Sequence, residues 1–96
     1  METLELLRTQ LYAEEIAETM PIIVIKAVIK YGHTAKTLAE TIRDEYLYDE
    51  YNLTPQQVDF DIKAITYNLK QLRRALTIRS NRPFQEFTNG AIVGLN

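Results

Sequence analysis

The residues best equipped for chemistry are six bases between Ile62 and Gln85. Lys63, Lys70, Arg73, Arg74, Arg79 and Arg82 occupy a stretch that contains no acid. Residues 1–61 carry 12 acids and 5 bases, a balance of −7, while residues 62–96 carry 1 acid and 6 bases, a balance of +5. The net charge of −2 therefore conceals a strongly polar molecule. Phosphate backbones are the commonest large partners of such a directed cationic surface. Other chemistries find little support. His33 is the single histidine and cysteine is absent, so no His-based metal cluster, His-containing triad, thiol nucleophile or disulfide can be assembled. There is no Gly-rich phosphate loop, and acid pairs such as Glu14/Glu15 and Asp49/Glu50 read as solvated surface. A non-enzymatic protein without metal or cofactor is expected.

The placement of the bases sharpens this reading. Val58, Ile62, Ile65, Leu69, Leu72 and Leu76 repeat with a 4-3-4-3-4 spacing, the cleanest helical period in the chain. At about 100° per residue, Lys63, Tyr67, Lys70 and Arg74 fall opposite that apolar stripe, with Thr66 at the margin. Lys and Arg neutralise phosphates or reach guanine edges, and Thr and Tyr donate to phosphate oxygens. Asn68 and Gln71 flank the face as candidate adenine readers.

The elements that must position these residues follow from local signals. Thr54 is an N-cap, Pro55 suits the first helical position and Gln57 completes a capping box, which starts the helix carrying the basic face. Upstream, residues 2–19 read as one helix striped by Leu4, Leu7, Leu11 and Ile16, with Glu14, Glu15 and Glu18 solvated. Pro21 opens and Gly32 closes a second helix over residues 22–31, despite their β-branched content. His33 then sits in an exposed connection. Thr34 caps a third helix, residues 35–47, with Leu38, Ala39, Ile42 and Tyr46 facing inward. After Leu76 the pattern changes. Residues 77–80 and 91–95 read as short strands, and either Asn81-Arg82-Pro83 or Asn89-Gly90 can set the hairpin between them. The expected fold is mainly α with a C-terminal β-hairpin. Its single core joins Ile62, Ile65, Leu69 and Leu72 to Ile25, Ile29, Leu38 and Ile42.

In this order of elements the chain resembles a winged helix-turn-helix domain with an added N-terminal helix. Residues 22–31 correspond to a core helix, residues 34–42 to the first helix of the turn motif, and residues 65–76 to the recognition helix. Residues 77–95 correspond to the hairpin wing. The resemblance divides a single domain into an extra helix (1–20), a helical core (21–76) and a wing (77–96). It implies a recognition helix in the major groove, a wing on adjacent backbone, and commonly a homodimer. Carried over by position, Lys63, Thr66, Tyr67, Lys70 and Arg74 would meet double-stranded DNA from the helix, and Arg79 and Arg82 from the wing. The chain departs from the family in its long acidic connection over residues 48–53. It also places Asp59 and Asp61 near the DNA-facing end of the last helix, and no Gly follows that helix.

Two function classes are open. One is a small DNA-binding transcriptional regulator. The other is a winged-helix protein-interaction module, such as a viral or mobile-element inhibitor of a host protein. Tyr46, Tyr48 and Tyr51 either cap the core or offer a protein-binding surface within the acidic segment 46–51. The Leu4, Leu7, Leu11 stripe either closes the core or pairs with its copy in a homodimer. The N-terminal residues are acidic where a signal peptide needs positive charge, and the apolar run at residues 21–25 is too short for a bilayer, so a cytoplasmic protein is expected.

Overall fold

The strongest local start signal, Thr54-Pro55-Gln56-Gln57, opens a long helix in the computed structural model, which describes residues 2–81. Thr54 Oγ1 accepts from the Gln57 amide at 3.1 Å, and Gln57 Oε1 accepts from the Thr54 amide at 2.9 Å. Both ends of the capping box are therefore closed. Four helices make up the described residues: α1 (Thr3–Arg8), α2 (Ala13–Thr19), α3 (Ile22–Asp44) and α4 (Pro55–Ser80). The long pair, α3 and α4, runs antiparallel. α1 and α2 lie along α4 in its own direction, and α1 also touches α3. Val58, Ile65, Leu69, Leu72 and Ala75 of α4 are buried, and Ile62 and Leu76 are half-buried.

Several expectations are overturned, three of them concerning the course of the chain. Gly32 does not end a helix, because α3 is continuous for 23 residues. The glycine is buried, and a Cβ there would stand 2.7 Å from Leu69 Cδ2 and 3.6 Å from Leu7 Cδ1. It is a notch that lets α4 and α1 approach α3. His33 and Thr34 are accordingly helical. Leu38 is 46% exposed rather than inward, while Ala39 and Ile42 are buried as expected.

The N-terminal helix is interrupted at residues 9–12 although no Gly or Pro stands there. Asn68, fully buried, supplies the reason. Its Oδ1 accepts from the Leu11 amide at 3.0 Å, and its Nδ2 donates to the carbonyls of Leu7 and Thr9, both at 2.6 Å. Gln71 Oε1 accepts from Ala13 N–H at the start of α2, at 3.1 Å. Side chains of α4 thus satisfy backbone groups that the break would otherwise orphan in the interior.

The third correction concerns the C-terminal β-hairpin. Residues 77–80, expected as its first strand, form the last turn of α4, and no strand occurs among the described residues. With α3 unbroken as well, the winged helix-turn-helix architecture is not the fold. The turn at residues 81–83 runs past the last described residue, Asn81. Asn89-Gly90 and the strand at residues 91–95 lie wholly outside the described residues.

The connection of residues 45–54 closes α3 with a Schellman-type pattern: Leu47 N–H reaches Ile42 O at 2.9 Å and Tyr46 N–H reaches Arg43 O at 3.4 Å. Leu47, Tyr48 and Leu53 pack on Ala39, Ile42 and Val58. The pattern demands left-handed backbone at Tyr46, where φ is 55°, and the side chain expected inward is instead 80% exposed.

Two outcomes follow from these contacts. Asn68→Ala orphans three backbone groups and should cost about 2–4 kcal/mol in chemical denaturation, at roughly 1–3 kcal/mol per buried unsatisfied group with partial relaxation. Asn68→Asp should be less harmful near pH 4 than at pH 7, since a protonated carboxyl can donate to one of the two carbonyls while a carboxylate can donate to neither. Tyr46→Gly should instead raise stability by about 1 kcal/mol, because glycine adopts the left-handed backbone without a Cβ penalty and little burial is lost. A fall in melting temperature for that variant would contradict the assigned turn.

Candidate nucleic-acid interface

The outward side of α4 presents Lys63, Thr66, Lys70, Arg73, Arg74 and Thr77 to solvent, with Tyr67 39% exposed. After Asp61 the helix contains no acid. The same holds on α3 from Ile22 to Ala39, which carries Lys26, Lys30, His33 and Lys36. The basic edges of the two helices are linked by a hydrogen bond, Arg73 Nη2 to His33 Nε2 at 2.6 Å. A guanidinium has only donors, so Nε2 is the acceptor in this contact. Lys30 and Lys26 precede His33 by one and two turns and share its edge of α3. The contact therefore joins the exposed bases of two helices into one surface.

Charge pairing sets this surface apart from the rest of the molecule. Lys36 lies 3.9 Å from Glu40, and Arg43 pairs with Asp44 at 2.9 Å. Among the described residues, Lys26, Lys30, Lys63, Lys70, Arg73 and Arg74 are within 4.0 Å of no carboxylate. Asp61, whose position threatened to repel phosphate, is turned inward and held bidentately by Arg8. Nε meets Oδ1 and Nη2 meets Oδ2, both at 2.9 Å. The hydrogen bond to Asp61 raises the Arg8 pKa above its ordinary value, against a smaller lowering by desolvation. Asp59 remains exposed on the first turns of α4.

Of the residues selected from sequence, Lys63, Thr66, Tyr67, Lys70 and Arg74 do lie together on the outward face. Thr66 Oγ1 donates to Ile62 O at 2.6 Å, leaving its lone pairs outward. Arg79 does not join them. It is 7% exposed, and Nη1 donates to the carbonyls of Ala17 and Met20 at the end of α2, both at 2.8 Å. A cation there complements the α2 dipole as well as filling its carbonyls. Arg82 lies outside the described residues. The two amides proposed to read adenine are occupied internally: Asn68 is fully buried and Gln71 accepts from Ala13.

Leu7, Leu11 and Ile16 of the N-terminal stripe are buried in the chain's own core, which leaves only the half-buried Leu4 of that stripe toward solvent. In the acidic segment, Tyr48 packs against the core while Tyr46 and Tyr51 are exposed. No helix among the described residues is long and apolar enough to cross a membrane. Comparison of the chain with protein-family models, curated proteins and solved structures returns no match.

Arg79→Met should separate structure from surface. It keeps the aliphatic stem but strips two carbonyls of their donor, so a loss of about 1–3 kcal/mol in denaturant unfolding is expected. Arg74→Ala, at an exposed site, should stay within about 0.5 kcal/mol of the parent.

Proposed function

We propose that this chain is a small non-enzymatic nucleic-acid-binding protein that grips phosphate backbones with the joined basic edges of α3 and α4. The observation that carries the reading is the set of exposed bases without an acidic partner, drawn from both helices and bridged by the His33–Arg73 contact. Bases left unpaired by the fold repel one another, and a polyanion relieves that repulsion while releasing its counterions. With Asn68 and Gln71 engaged inside the protein, the face is poor in side chains that read base edges. Contact is therefore mainly to backbone and weakly dependent on sequence. Regulation of transcription would need specificity from another source, such as the shape of the nucleic acid.

A second reading, as a protein-interaction module, has one observation in its favour. An apolar groove of about 300 Å³ lies between α1, α3 and the start of α4, lined by Leu4, Tyr31, Leu38, Ile42, Leu53 and Val58.

Fluorescence anisotropy with a labelled duplex across a salt series tests the proposal. Affinity should fall steeply with salt, and Lys70→Ala with Arg74→Ala should reduce the magnitude of the log–log slope by about 2, one per lost phosphate contact. Circular dichroism should be unchanged. Unaltered affinity and slope in the double variant would remove α4 from the interface, and the groove would then be the surface to pursue.

A further inference from the structure

Phe60 is 54% exposed on the second turn of α4, an unusual position for a phenyl ring that belongs to no apolar stripe. Phe60, Ala64 and Tyr67 follow one another at helical spacing along a strip of α4 that faces the end of α1. Together with Lys63, and with Arg8 and Gln10 across from them, they line a cleft of about 340 Å³. That volume is at the lower end of the range for small-ligand sites, roughly 300–1,000 Å³. Its far wall is the interrupted chain at Thr9 and Gln10, whose course Asn68 fixes from inside. The cleft therefore belongs to the packed framework rather than to a loose loop.

The chemistry of the strip is specific. Read outward along α4, residues 60, 63, 67, 70 and 74 are Phe, Lys, Tyr, Lys and Arg. Their 3-4-3-4 spacing puts them on one line: two aromatic rings at the cleft, a cation between them, and two further cations beyond. Phe60 and Tyr67 are two turns apart, about 10.5 Å along the axis, with Lys63 and Ala64 lining the cleft between them. Aromatic faces alternating with cations are how proteins hold single strands, where the bases stack on rings and the phosphates follow the charge. A duplex keeps its bases stacked on one another and has no use for such a cleft.

We propose that the cleft seats one or two unpaired bases of a single-stranded nucleic acid, whose backbone continues past Lys63 toward Lys70 and Arg74. The proposal deepens the nucleic-acid reading and rests on it. Bases supply the stacking and the adjoining basic surface supplies the charge.

The test uses the full chain and three probes of matched length: oligothymidine, the same strand with abasic sites throughout, and a duplex. The abasic strand keeps every phosphate and loses every base. Oligothymidine should bind about ten-fold more tightly than the abasic strand, within the range that stacking of one or two bases provides. Phe60→Leu should reduce that difference several-fold while leaving abasic and duplex affinities unchanged. Lys70→Ala with Arg74→Ala should weaken all three probes. Replacing oligothymidine by oligouridine distinguishes DNA from RNA as the source of the bases. Ultraviolet cross-linking of the parent protein to oligothymidine gives a readout independent of variant folding, and the cross-links should map to residues 60–67. Equal affinity for the abasic and base-bearing strands, or cross-links confined elsewhere, overturns the cleft assignment. Duplex binding with its salt dependence intact would then leave the broader reading standing. Failure of all three probes to bind would take down both.

Discussion

Three hydrogen bonds from one buried amide, Asn68, decide the path of the N-terminal segment. An uninterrupted helix would satisfy its own backbone and need nothing from α4. The observed chain leaves the helical path at residues 9–12, and a buried break is tolerable only where every exposed donor and acceptor finds a partner. Asn68 meets both requirements from one side chain, offering a donor and an acceptor at once. Gln71 and Arg79 extend the arrangement to the two ends of α2, and Asp61 anchors Arg8 at the end of α1. The course of α1 and α2 depends on this line of polar groups beside the apolar stripe.

The same line sorts the charged and polar residues of α4 into two populations. Those that face α1 and α2 are buried or engaged and belong to the framework. The bases on the outward side pair with no carboxylate among the described residues and belong to the surface. Asp61 shows the consequence most clearly. By turning inward to Arg8 it removes its negative charge from the face where phosphate would be repelled. The His33–Arg73 contact does the reverse, drawing the edge of α3 into the basic surface.

Local signals made part of this legible. The Thr54 capping box, the apolar period from Val58 onward and the outward set Lys63, Thr66, Tyr67, Lys70 and Arg74 all follow from spacing within a single helix, and each is found. What escaped depends on partners distant in sequence. Gly32 looks like a helix end until Leu69 is placed against it. The break at residues 9–12 carries no breaker residue because Asn68 imposes it. Arg79 looked like a strand residue because Thr77 and Ile78 have β character, yet burial and two carbonyls of α2 keep that turn helical. Lys26, Lys30 and His33 were hidden from the site for a related reason. Dividing α3 at Gly32 put His33 in a connection and separated it from the lysines with which it shares an edge. Phe60 fell on no stripe, and only the geometry of the break gives it a neighbour across a cleft.

The parallel alignment of the N-terminal segment with α4 also has a temporal meaning. Arg8, Leu11, Ala13 and Ala17 meet partners 53 to 62 positions later in the chain. During synthesis this segment emerges before α4, so each of its buried polar groups waits for a residue not yet made. The α3–α4 hairpin, joined by a short connection, closes a small loop and can form without it. Docking of α1 and α2 is then the late, non-local step that limits the folding rate. Until it occurs, Leu7, Leu11 and Ile16 remain uncovered, and the nascent chain is most open to capture by chaperones or by other chains. The segment made before the hairpin is thus placed after it.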